Sequence, residues 1–119
     1  MEKSKAIIVI LTYMAKVDSN LDDKENEKIL TFIQSQVSDS EQMITLYHNL
    51  IQLTIEELRI QFDDAVSVLK DLMIKKEKIS FMNQLIELTS SDFKITQEES
   101  SSMLYISQIW GISLDELVT

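Results

Sequence analysis

Two stretches of this 119-residue chain place carboxylates at the same spacing, and oxygen ligation of a cation or charge offered to a partner is the chemistry they could do. Asp18-Ser-Asn-Leu-Asp-Asp-Lys-Glu25 reads against Asp92-Phe-Lys-Ile-Thr-Gln-Glu-Glu99, 74 residues further on. In each copy an apolar run ends at an aspartate. Leu21 or Ile95 follows three residues on, then a capping residue (Asp22 or Thr96), then a glutamate three further along. Asp18, Asn20 and Asp22 match the opening of a calcium-binding loop, in which alternate residues supply oxygens. The sixth position, however, is Asp23 rather than glycine, and the twelfth is Ile29 rather than a bidentate glutamate. The second copy has Lys94 and Thr96 where ligands belong, so an EF-hand is excluded. Three readings stay open, one of them an acidic patch that these carboxylates offer to a protein partner. If the two bends pack side by side, Asp18, Asp22, Glu25, Asp92 and Glu99 are the candidate metal ligands. Otherwise Asp22, Glu25, Thr96 and Glu99 cap helices, and Asp18 and Asp92 stabilise the bends.

Other chemistry has less to stand on. His48 is the sole histidine and cysteine is absent, which rules out thiolate metal sites, cysteine nucleophiles and disulfides. No serine sits in a nucleophile setting, and one glycine, Gly111, cannot build a phosphate-binding loop. The expectation is a chain without catalytic residues and without a cofactor. His48 reads as a surface or boundary residue, Met14, Met43, Met73, Met82 and Met103 as core filler, and Trp110 as the residue that closes the core.

The elements that must carry the two bends are helices. Proline is absent and Gly111 is the single glycine, so the punctuation of strands and tight hairpins is missing. A first helix over about 2–17 is apolar almost all round, as a central buried helix should be. A second follows Asp22, with Ile29, Leu30, Phe32, Ile33 and Val37 inward. A third starts near Ser38 or Ser40, and a fourth after Thr54. In the fourth, Leu58, Phe62, Ala65, Val66, Leu69, Leu72 and Met73 recur at helical spacing. The basic run Lys75–Lys78 marks a bend and suits the C-terminus of a helix. A fifth helix carries Ile79 to Leu88, a sixth follows Thr96 with Met103, Leu104, Ile106, Ile109 and Trp110, and Gly111 caps it. A last short helix starts at Ser113. Five capping boxes mark the starts: Asp22/Glu25, Ser38/Glu41, Thr54/Glu57, Thr96/Glu99 and Ser113/Glu116. The fold class is therefore all-α. One domain over 1–119 forms a compact bundle of about seven helices with two pseudo-repeated hairpins.

Twenty acidic side chains against eleven basic ones give a net charge of −9, which argues against nucleic acid and anionic membrane surfaces and toward a protein partner. Lys3 and Lys5 before Ala6–Leu11 imitate a signal peptide. Ala15-Lys16-Val17 is a poor cleavage site, though, and the apolar run falls short of the ~20 residues a membrane span needs. The expectation is a cytoplasmic protein with no direct membrane insertion.

The stretch Ala15-Lys-Val-Asp-Ser-Asn-Leu-Asp-Asp-Lys-Glu25 resembles the A-x-A-D-G-x-I-x-x-x-E signature of the tellurite-resistance TerB-like family, which includes the N-terminal domain of DjlA-type co-chaperones. Ser91–Glu99 resembles the family's second signature, and Ile106-Ser-Gln-Ile-Trp-Gly-Ile-Ser113 resembles its I-A-x-x-L-G-I-S ending. The family's glycine after the aspartate is Ser19 in one copy and Phe93 in the other. The resemblance implies a non-enzymatic helical bundle, cytoplasmic, with roles in tellurite or stress response, metal-linked association with membrane complexes, or scaffolding.

Overall fold

The computed structural model describes residues 1–17, 23–89, 97–113 and 115. Lys3–Lys16 form α1, and nine of its fourteen residues, Ala6 and Ile8–Ala15, are buried. A helix so apolar must be surrounded, and burial of each large side chain contributes about 1.5–3 kcal/mol. The remaining helices are α2 (Asp23–Gln36), α3 (Ser40–Leu50), α4 (Ile55–Leu72), α5 (Lys75–Thr89) and α6 (Gln97–Trp110). Thus six α-helices, not about seven, form among the described residues. The start of the expected last helix survives as a local bond, Asp115 N–H donating to Ser113 Oγ at 3.3 Å.

The longest helix, α4, is the main partner of α1, and the two run antiparallel. Tyr13 near the end of α1 stacks on Phe62 in the first half of α4, with ring centroids 4.2 Å apart. Lys16 donates to the carbonyls of Ile51 and Leu53 just before α4, at 2.7 and 2.6 Å. At the other end Lys3 Nζ bonds Glu77 Oε2 at 2.8 Å, beyond the C-terminus of α4. α3 packs on α1 and α2, whereas α6 packs on α4 and α5. Thr12 is fully buried in α1, and its hydroxyl is satisfied by donating to the carbonyl of Ile8 at 2.7 Å.

Helix boundaries separate the right cues from the misleading ones. Thr54/Glu57 is a complete capping box: Glu57 N–H donates to Thr54 Oγ1 at 3.2 Å, and Thr54 N–H donates to Glu57 Oε1 at 3.0 Å. Ser38/Glu41 is not one. α3 starts at Ser40, and the residue before it, Asp39, makes no side-chain cap bond. Asp22, Thr96 and Glu116, each half of another expected box, lie outside the described residues.

The α4–α5 break falls at Met73–Ile74, before the lysine run rather than within it. Lys75, Lys76 and Lys78 therefore occupy the first turn of α5, where the helix dipole disfavours cations. Glu77 offsets this, accepting from Ile74 N–H at 3.2 Å and from Lys3. Gly111 adopts φ 69°, and Ile112 N–H donates to the carbonyl of Ser107 at 2.9 Å, the 6→1 bond of a Schellman cap. Trp110 is buried and donates Nε1–H to the carbonyl of Val66 at 2.9 Å, tying α6 to α4. The five core methionines are all buried, and His48 is exposed.

Thr54→Ala should lower stability by about 1 kcal/mol, while Ser38→Ala stays within about 0.5 kcal/mol of wild type. Gly111→Ala should cost about 1–2 kcal/mol by forcing a Cβ into left-handed backbone. Urea unfolding midpoints of the three variants check all of these.

Candidate functional site

The inward stripe of α6 is Glu99, Ser102, Met103, Ile106, Ser107 and Trp110, six residues at helical spacing of which three are polar. On α2 the inward residues are Glu25, Ile29 and Ile33. Positions 74 apart therefore share burial: Glu25 with Glu99, Ile29 with Met103, Ile33 with Ser107, and, on the preceding helices, Ile8 with Met82 and Leu11 with Leu85. The two glutamates expected at helix starts lie in first turns, where the dipole favours negative charge, but they face the interior. Glu25 is 7% exposed and Glu99 1%. Asp18, Asp22 and Asp92 lie outside the described residues, so the bends those aspartates belong to are not part of the described geometry. Among the described residues, no group of three or more His, Asp or Glu side chains is placed to hold a metal ion.

Glu25 acts on a second buried group. Tyr47 of α3 is fully buried, and its hydroxyl donates to Asn26 Oδ1 at 2.7 Å. Burial, and then the negative charge of Glu25, push the Tyr47 phenol up to about 12. The first turn of α2 is thus locked to α3 by a tyrosine hydrogen bond beside a buried carboxylate.

A feature that motif reading missed lies at the start of α4. Arg59, the single arginine, sits over three rings, with its guanidinium carbon 5.0 Å from the Tyr105 centroid, 5.7 Å from Phe62 and 6.0 Å from Tyr13. Its Nε donates to Asp63 Oδ1 at 3.0 Å and its Nη1 to Tyr13 Oη at 3.4 Å. Partial burial, and then a hydrogen bond with Asp63, raise the Tyr105 phenol. One sequence signal was present, the Arg59/Asp63 spacing of one helical turn. Phe62 lies one helical turn on along α4, but the Tyr13 and Tyr105 rings come from α1 and α6, and nothing local announces them. Beside this cluster, Val17, Gln97, Glu98, Ser101 and Ser102 line a polar recess of about 440 Å³. A second recess of about 540 Å³ separates α2 from α5, with Lys24, Lys28, Glu27 and Glu87 at its rim and Phe32 at its floor.

A family model described as tellurite resistance protein TerB matches residues 4–118. The chain belongs to the TerB family. The match spans both bends, the capped end of α6 and everything between. No curated protein and no solved structure gives a significant match.

The Tyr47 environment has a measurable consequence. Its phenol is neutral in the fold up to a higher pH than in the unfolded chain, whose value is about 10. The stabilising contribution is complete below pH 10 and is lost as pH rises toward 12. With Tyr13 and Tyr105 replaced by Phe, ultraviolet titration should show one late-ionising phenol. Glu25→Gln should lower its pKa only in part, because burial is the larger cause.

Proposed function

We propose that this TerB-family domain is a non-enzymatic interaction module of the cytoplasm that presents an acidic end to a protein partner, in the setting of tellurite or another stress. The observation that carries this reading is the gathering of exposed carboxylates where α1 ends and α2, α4 and α6 begin. Asp23, Glu27, Glu56, Glu57, Glu87 and Glu98 are all exposed there, Glu87 reaching this end because α5 runs back along α2. Lys16, which belongs to the same end, turns its ammonium inward onto two backbone carbonyls. Lys24 and Lys28 remain outward beside Glu27 and Glu87, but carboxylates outnumber them, and a surface with a negative excess speeds association with a basic partner and selects against acidic ones.

A second reading draws on one further observation: the buried glutamates Glu25 and Glu99 occupy matching inward positions beside the bends. On this reading the domain is a divalent-cation-binding regulator, with Asp18, Asp22 and Asp92 joining the two glutamates.

Two measurements separate the readings. Affinity capture from a cell lysate should recover a partner with wild-type protein, and Glu56→Gln plus Glu57→Gln plus Glu98→Gln should lose most of it, with recovery falling as salt rises. Equal recovery by the neutralised variant would remove the acidic end from the account. A calcium- or zinc-dependent rise in melting temperature that Asp18→Ala plus Asp92→Ala abolishes would instead support the cation reading. The absence of any shift at millimolar metal ends it.

A further inference from the structure

The end of the molecule opposite the acidic one is built differently. Lys3 and Lys5 start α1, Lys70 lies in the last turn of α4, and Lys75, Lys76 and Lys78 start α5. The Lys3–Glu77 ion pair draws the start of α1 against the start of α5, and the short Met73–Ile74 break joins α5 to α4. Six of the eleven basic side chains of a chain with net charge −9 therefore share one elbow. The acids on the same three helix ends are Glu2, Asp71 and Glu77, and Glu77 is already held by Lys3. Asp39 and Glu41 stand at the start of α3, soon after α2 reaches the elbow with Gln36 beside Lys3 and Lys76, so they bring two further acids toward this pole, where the six lysines still outnumber the acids.

At the tip of the elbow the backbone of Met73 is extended, with φ −104° and ψ 138°. Extended backbone sends successive side chains to opposite sides. Met73 goes inward and is 7% exposed, so Leu72 and Ile74 share the outward side, at 52% and 65% exposure. The result is a convex, apolar tip with lysines before and after it in the chain, and this differs from the concave groove that holds a peptide helix or strand.

We propose that this elbow is a peripheral docking surface for an anionic lipid bilayer, with Leu72 and Ile74 entering the headgroup region and the lysines contacting lipid phosphates. The pairing of shallow apolar burial with a basic cluster is the two-signal arrangement that reversible membrane attachment requires. The whole-chain charge points the other way, but six exposed carboxylates lie at the opposite end, and Glu77 at the elbow is already held by Lys3. The same separation orients the docked molecule, with its carboxylates directed away from the bilayer. No helix among the described residues is long and apolar enough to cross a membrane, so the attachment is to the surface.

Co-sedimentation of the whole chain with vesicles tests this. Binding is expected to vesicles of phosphatidylcholine and phosphatidylserine at roughly 3:1 and to be weak or absent with phosphatidylcholine alone, weakening steeply as salt rises. Lys70→Gln plus Lys76→Gln should reduce the partition coefficient about 25-fold, near fivefold per lysine. Leu72→Ser plus Ile74→Ser should reduce it about tenfold or more, with the melting temperature of both variants close to wild type because all four side chains are exposed. The proposal is overturned if wild-type protein fails to bind the anionic vesicles at low salt, or if either variant binds them as wild type does. It is equally overturned if soluble polyglutamate binds the elbow while vesicles do not, which would assign the surface to an acidic protein. None of these outcomes depends on the acidic end.

Discussion

The structure depends on one constraint: α1 cannot face water. With every residue from Ile8 to Ala15 buried, its apolar surface must be covered on all sides, and the antiparallel contact with α4 supplies most of that cover. The rest follows from where α1 and α4 leave gaps. α3 packs on α1, and α6 packs on α4, pinned there by Trp110 donating to the carbonyl of Val66. Fixing α1 and α4 in antiparallel register also fixes the ends. Lys16 meets the carbonyls before α4 at one end, and Lys3 meets Glu77 beyond α4 at the other. Both terminal lysines of α1 are thereby engaged in positioning the chain segments that flank its partner.

Against that frame α2 and α6 present weakly apolar inner stripes. Three of six inward residues on α6 are polar, so burying this face gives less hydrophobic stabilisation than burying α4's, where Leu58, Phe62, Ala65, Val66 and Leu69 are all apolar. A helix with such a stripe is tied to α4 by the indole of Trp110, while its polar side chains are satisfied within the helix itself, Ser102 and Ser107 by donating to the carbonyls of Glu98 and Leu104. Glu25 and Glu99 belong to the same economy of polar contacts. Each stands in the first turn of its helix, where unsatisfied N–H groups and the dipole lower the cost of a buried negative charge.

What could be read from the residues alone divides along the same physical line. The central helix, the α4 stripe, the box at Thr54, the cap at Gly111 and the closing role of Trp110 are local patterns, and local patterns are visible in one dimension. The inward direction of Glu25 and Glu99 was hidden because a capping-box glutamate and an inward glutamate occupy the same sequence position. Only the phase of the stripe, set by tertiary packing, separates them. Leu72 and Leu104 fit an apolar spacing and are nonetheless exposed, at 52% and 44%. At the end of α4 the chain leaves the helix and Met73 takes the inward place. On α6 the inward stripe runs through Met103 and Ser107, about 100° of helix rotation away from Leu104. The lysine run pointed correctly to a break but to the wrong side of it, because Glu77 compensates for cations at a helix start through the bonds to Lys3 and Ile74. The Arg59 cluster was hidden for a different reason: two of its three rings, Tyr13 and Tyr105, come from helices far from Arg59 in sequence.

Charge shows the same difference between a sum and an arrangement. A net of −9 describes solubility and the far field, yet the molecule measures 33 × 30 × 28 Å, and the screening length at physiological salt is about 8 Å. Its two ends are therefore several screening lengths apart and act on their surroundings almost independently. The elbow presents lysines and two apolar side chains, and the end where α2, α4 and α6 begin presents an excess of carboxylates. The antiparallel packing of α1 and α4 maintains that separation, because it carries the start of α1 and the end of α4 to one pole and their opposite termini to the other. Any change that let α1 slip against α4 would move Lys3 away from Glu77 and Lys16 away from its carbonyls together, blurring both surfaces at once. The buried, uncharged interior of α1 thus determines where the charges of this small domain can act.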